Sequence, residues 1–212
     1  AQITSDREKP DAWRNALILM RIPFSIYLMP VFWFALSNVN QEINLWKAVA
    51  IFIIIHVFLY PASNGYNSYF DKDEESIGGL EKPPSVGQEL YYLVLLFDAT
   101  AIIGAYFISP LFATMVFIYT LVSKAYSFDK IRLKRFPILS TAVVTVFQGA
   151  FTYGMILIGL SLTIDSTQMI YAAISTFLIA GSYPLTQIYQ HKEDSDRGDK
   201  TLSLKLGIKG TF

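Results

Sequence analysis

Two oxygen-rich clusters carry the chemical possibilities of this chain. The first reads Asn67-Ser68-Tyr69-Phe70-Asp71-Lys72-Asp73-Glu74-Glu75, and the second Gln190-His191-Lys192-Glu193-Asp194-Ser195-Asp196-Arg197-Gly198-Asp199-Lys200-Thr201. If one helix runs through the first cluster, Asn67, Asp71 and Glu75 fall at i, i+4 and i+8. An amide and two carboxylates then stand along one face, each step ~6 Å along the axis. Carboxylates so spaced repel each other unless a cation lies between them. Magnesium suits such a place, because one or two carboxylates hold it while substrate phosphates complete its shell. A solvated helix end has the same composition, so either cluster taken alone leaves both readings open. Two such clusters brought together would suit a pair of cations and a diphosphate.

Other chemistries are excluded by composition. The chain has no cysteine, which removes disulfides, thiolate nucleophiles and Cys-ligated metals. Its two histidines, His56 and His191, are too few for a His-based metal site, so any metal would be a hard ion held by oxygen. The formal net charge is +0, which offers nothing to nucleic acid.

The elements that position these clusters are membrane helices. Of the 212 residues, 53% are hydrophobic and 16% charged, against about a quarter charged in a soluble domain. Mean hydropathy is +0.39. A spanning helix needs ~20 mostly apolar residues. Six stretches qualify, at 16–37, 46–66, 91–108, 111–127, 138–162 and 168–189. The fold class expected is therefore all-α, a polytopic transmembrane bundle forming a single domain over 1–212. The first 15 residues are polar, and no separate secretory signal is visible in them.

Charge sets the orientation. Arg7, Lys9 and Arg14 precede the first span, and Lys72 and Lys82 follow the second. Lys124, Lys130, Arg132, Lys134 and Arg135 are assigned to the connection after the fourth, and Lys192, Arg197, Lys200, Lys205 and Lys209 follow the sixth. The opposite side holds Lys47 alone, with Arg21 inside the first span. The positive-inside rule then makes the N-terminus and both acidic clusters cytoplasmic, in a cell inner membrane.

In this setting the chain resembles the UbiA-type intramembrane prenyltransferases. Their first signature, Asn-x-x-x-Asp-x-x-x-Asp at the end of the second span, is similar to Asn67, Asp71 and Glu75, with Glu in the last place. Lys82-Pro83-Pro84 resembles the basic residue before proline in their first loop. Tyr126-Ser127 and Arg132-Leu133-Lys134-Arg135 resemble their next loop. Their second signature, Asp-x-x-x-Asp-x-x-x-Gly-x-x-Thr, is matched by Asp194, Gly198 and Thr201, while Gln190 stands in the first Asp position. An amide oxygen there ligates without charge, and Glu193 or Asp196 is placed to compensate. The resemblance runs from Arg21 to about Gly210. The family usually has nine spans, so the last three are expected to be missing from this chain.

The resemblance implies transfer of a prenyl group from a prenyl diphosphate to a hydrophobic acceptor within the bilayer, assisted by Mg2+. Asn67, Asp71, Glu75 and Asp194 are the implied catalytic residues, with Asp71, Glu75, Asp194 and Gln190 at the metal. Arg21, Tyr126, Arg132, Lys134 and Lys82 are implied to bind substrate. An arginine inside a span usually faces a polar cavity, although snorkelling to the interface is the alternative for Arg21. Positive-inside charge alone also accounts for Arg132 and Lys134. Asp98, an acid within the third span, fits no motif, and His56 suits a hydrogen-bonded core position. The sequence leaves three rival functions to compare with this one. A CDP-alcohol phosphatidyltransferase needs an Asp-Gly-x-x-Ala-Arg run, and there is none. A transporter would hold its charges near the midplane between broken helices. A non-catalytic member of the family is suggested by Gln190.

Overall fold

The computed structural model describes residues 5–196 and 198–212, the side chains of 5–10, 189 and 193 excepted. The side chains of Arg7, Lys9 and Glu193, and the whole of Arg197, lie outside the described residues. Among the described residues every regular element is helical, and the one β-bridge joins Ile77 to Leu80 in a connection.

Five helical stretches are long and apolar enough to cross a membrane: Asp11–Ser37, Leu45–Asp71, Gln88–Ile108, Pro137–Gly159 and Ser166–Ile188. They make this an integral membrane protein. The expected fourth span, 111–127, forms the helix Pro110–Ser127, which falls outside that set because Lys124 and several polar side chains make it less apolar than the others. It still runs the depth of the bundle. The chain reverses at Ser109, whose hydroxyl accepts from the Phe112 N–H at 3.0 Å. At the other end, the Ser127 hydroxyl donates to Asn67 Oδ1 at 2.6 Å, beside the end of the second span.

Two apolar clusters hold the bundle together. Val31, Ile51, Ile55, Phe112, Val116, Tyr153 and Ile156 fill one half, while Leu19, Met20, Ala62, Leu90 and Val94 fill the half nearer the acidic clusters. Large apolar side chains such as Phe107, Ile138 and Phe177 point outward, as lipid requires.

The spans are interrupted where their residues demand it. Pro61 has no N–H and would clash with the carbonyl one turn back. The turn Ile54–Leu59 just before it widens to π geometry. A second π turn, Phe147–Phe151, lies at a close crossing. A Cβ on Gly149 would sit 2.5 Å from Thr176 Cα, so only glycine permits the approach. The widened turn leaves the Ala150 N–H to donate to Thr176 Oγ1 at 3.0 Å. In the first span Arg21 adopts a left-handed conformation (φ 50°), which breaks the helix ahead of a 3-10 run at Ile22–Leu28.

The structure gives Asp98 a partner. Its carboxylate meets the Lys124 ammonium at 2.5 Å, and that ammonium lies 4.5 Å from the centre of the Tyr66 ring. Lys124 is thus not a loop cation, as its charge suggested. It sits inside the Pro110–Ser127 helix and joins the second, third and fourth spans. Removing one partner of a buried ion pair leaves an uncompensated charge, at a cost of about 3–5 kcal/mol. Lys124→Met is therefore expected to lower unfolding stability in detergent by about that much. The double variant Asp98→Leu/Lys124→Met should recover most of it. A double variant as unstable as the single one would show that the apolar packing, not the orphaned charge, was lost.

Candidate functional site

Asp71 is the last helical residue of the second span. Lys72 then takes a left-handed conformation (φ 50°), and the chain leaves the helix. The expected single face through Glu75 is corrected by this stop. Glu75 sits in the following loop and pairs with Lys192 at 2.6 Å, both side chains being exposed. The same loop folds on itself through Ile77 and Leu80, whose N–H groups donate to each other's carbonyls at 2.9 and 2.8 Å. That turn presents the Gly78 carbonyl to Arg21 Nη1 at 3.3 Å, while Arg21 Nη2 donates to the Asn64 carbonyl at 3.3 Å. Arg21 is 8% exposed and packs over the Phe24 ring, so it does not snorkel to the surface.

The connection after the Pro110–Ser127 helix carries the basic side of the site. Arg132, left-handed at φ 42°, opens a short 3-10 turn at Leu133–Arg135. Its guanidinium binds Asp199 with two parallel bonds, Nε to Oδ1 at 3.0 Å and Nη2 to Oδ2 at 2.8 Å. It also donates to Asp129 at 3.0 Å and to Asp71 Oδ1 at 3.3 Å. Lys134 Nζ lies 2.9 Å from Asp71 Oδ2, 3.2 Å from Asp199 Oδ2 and 3.9 Å from Asp194 Oδ1.

The third component follows the sixth span. After a 3-10 run at Tyr183–Gln190 and a short helix at His191–Asp196, Gly198 turns the chain at φ 73°. The Asp199 N–H donates back to the Asp194 carbonyl at 2.8 Å, which holds the two acids on one tight turn. Thr201 then caps the helix Leu202–Thr211.

These three components surround a cavity with about 1060 Å³ of empty space, part of it open to solvent. Its mouth is polar, lined by Arg21, Asn67, Asp71, Lys134, Gln190 and Asp194. Its far wall is largely apolar, formed by Tyr119, Val122, Val143, Val144 and Phe147. Between them Tyr126 and Tyr183 share a hydroxyl hydrogen bond of 2.7 Å. Such a space suits an amphiphile with an anionic head and an apolar tail.

Most of the residues singled out in the sequence are brought together here. Asn67, Asp71, Asp194, Gln190, Arg21, Tyr126 and Lys134 all line the one cavity. Arg132 does not line it; it is buried behind the wall, where it holds acids. Glu75 and the exposed Lys82 lie outside the lining, and Asp196 is exposed. Two participants escaped the sequence reading. Asp199 was one acid among several until its pairing with Arg132 distinguished it. Tyr183 belongs to no motif, and its place in the cavity lining and its bond to Tyr126 single it out. Among the described residues no three acid or histidine side chains are arranged to hold a metal ion by themselves.

A model of the UbiA prenyltransferase family matches residues 27–212. No curated protein and no solved structure matches the chain.

The charges at the mouth tune each other. Burial opposes the Lys134 ammonium, but Asp71, Asp199 and Asp194 overcome it and raise its pKa above the ordinary lysine value. Burial would also raise Asp199, yet its bonds to Arg132 and the nearby Lys134 hold it below the usual carboxylate range. Asp194 goes the other way. Burial, with Asp199, Asp71 and Asp73 nearby, outweighs Lys134 and pushes it up to about 6. A carboxyl whose pKa rises on folding opposes folding once ionised. Below the unfolded value the penalty is absent, and it is complete above the folded one. Ligand-free Asp194→Asn is therefore expected to be more stable than the wild type at pH 7.5, by about 1–3 kcal/mol. The difference should fade as pH falls toward 4. Thermal unfolding of both proteins across that range checks the sign, and a variant less stable at pH 7.5 would refute it.

Proposed function

The chain belongs to the UbiA prenyltransferase family, and from that premise we propose that it transfers a prenyl group from a prenyl diphosphate to a hydrophobic acceptor, with magnesium at the cavity mouth. The observation that carries this reading is the division of one cavity into a charged mouth and an apolar wall. Its mouth would take the diphosphate and its interior the prenyl chain.

The donor set fits magnesium. Asp71, Asp194, Asn67 and Gln190 all present oxygen atoms at one mouth, which favours a hard ion. The shortage of acids there fits as well, since substrate phosphates commonly complete the shell of such an ion. Magnesium bound to Asp71 and Asp194 would supply Lewis-acid stabilisation of the departing diphosphate.

The side chains of the chain do the rest. Arg21 is held at the mouth by two backbone carbonyls and supplies fixed positive charge for the diphosphate. Lys134 offers a second cation on a flexible stem. The bond between the first prenyl carbon and the diphosphate oxygen breaks, and its electron pair leaves with the diphosphate. The allylic cation that remains is attacked by the acceptor, which then releases a proton. Val122, Val143, Val144 and Phe147 keep water away from that cation. The rings of Tyr119, Tyr126 and Phe147 offer it their negative faces. The mouth opens to the cytoplasm, in accord with the basic residues on that side.

Purified protein in nanodiscs is expected to consume a labelled short-chain prenyl diphosphate in a magnesium-dependent way when supplied with a panel of hydrophobic acceptors. Asp71→Ala should lower the rate by at least about 100-fold, the scale of losing a group that stabilises developing charge. A rate indifferent to this substitution or to a chelator would refute the proposal.

A further inference from the structure

Lys134 has a placement that the binding of a diphosphate does not by itself require. Its ammonium is within 4 Å of three carboxylates from two segments more than a hundred residues apart: Asp71 on one, and Asp194 and Asp199 on the other. It is 6% exposed, and it enters this position from a third segment. The one ammonium thus supplies positive charge to three carboxylates at once.

The acids divide into two kinds. Asp199 is fully buried, does not line the cavity, and is bound in two places by Arg132. That pair is a fixed anchor. Asp71 and Asp194 line the cavity, and Lys134 lies between them. A divalent ion arriving alone would meet Lys134 and Arg132 as like charges beside the carboxylates it needs. A diphosphate arriving with the ion changes the balance. It brings enough negative charge to draw the ammonium off Asp71, and Lys134 can turn toward it because its stem is long and flexible and also lines the cavity.

We propose that Lys134 is a tethered counter-cation that occupies the Asp71–Asp194 pair in the absence of ligand and makes divalent-metal binding conditional on the diphosphate. This rests on the reading of the cavity as a metal–diphosphate site. Its consequence is an order of events: the metal is retained only with the substrate's head group, and it is lost with it.

Binding of Mn2+, followed by its electron paramagnetic resonance in the full chain without prenyl donor, tests this apart from turnover. Wild-type protein should bind Mn2+ alone weakly, and inorganic pyrophosphate should tighten binding at least tenfold, referred to free Mn2+. In Lys134→Met, Mn2+ alone should bind at least tenfold more tightly than in wild type, and the gain from pyrophosphate should shrink. Lys134→Gln, which keeps a hydrogen-bond donor but no charge, should behave like Lys134→Met and serves if that variant does not fold. If neither variant binds Mn2+ alone more tightly while wild type still responds to pyrophosphate, the counter-cation role is overturned and the metal–diphosphate reading stands. If wild type binds no Mn2+ even with pyrophosphate, both fall.

Discussion

The buried charge cluster of Asp71, Arg132, Lys134, Asp194 and Asp199 is the constraint on which the mouth of this protein depends. Taking ions out of water is expensive unless each finds opposite charge and its hydrogen bonds are met. The paired bonds between Arg132 and Asp199, at 3.0 and 2.8 Å, meet that demand in the favourable bidentate geometry. Lys134 meets Asp71 closely, at 2.9 Å, and compensates Asp194 only in part, from 3.9 Å. The cluster draws together the end of the second span, the connection after the fourth, and the segment after the sixth. Loss of Arg132 or Lys134 would strand buried acids, so these three segments are held in register by charge as well as by apolar contacts such as Phe70 against Phe128.

Backbone conformation serves the same end. Arg21, Lys72 and Arg132 all adopt left-handed geometry, which costs an ordinary residue roughly 1–2 kcal/mol. Each lies where the chain must leave a helix or enter a turn beside the mouth. At Arg21 the break lets the guanidinium reach the Gly78 and Asn64 carbonyls. At Lys72 it ends the second span with Asp71 still inside the cavity and directs the next residues to the surface. Such strain persists only where surrounding contacts over-determine it, and functional sites are where it gathers.

Below the mouth the balance shifts from charge to packing. Gly65 lets the first three spans approach closely, since a Cβ there would meet Met20 Sδ at 2.5 Å and Val94 at 2.9 Å. The cavity wall then narrows to valines and aromatic rings. The Asp98–Lys124 pair is the exception, an ionic link between spans in a region where lipid surrounds the bundle. It lies three residues from Ser127, whose hydroxyl holds Asn67, so the ion pair and the mouth share one helix.

Much of this was legible in the residues alone. Apolar runs of membrane length dictate the helices, because lipid admits no unpaired backbone. The end-of-span acids Asp71 and Asp194 stand out by type and spacing, whereas Arg21 and Lys134 gain a role only through the resemblance to the family. Three things were not legible. Helix continuation through Glu75 was reasonable from spacing, yet the left-handed Lys72 ended it, because a helix end is decided by what the following loop must contact. Lys124 read as one more cytoplasmic cation until Asp98 was seen across the helix interface. Arg132, Lys134 and Asp199 were charges in two loops far apart in sequence, and spacing along one chain carries no record of which loops meet. Composition and periodicity determined a membrane bundle with acids at one end; only the tertiary structure decided which charges neutralise each other, because ion pairing depends on distances across helices that no local pattern encodes.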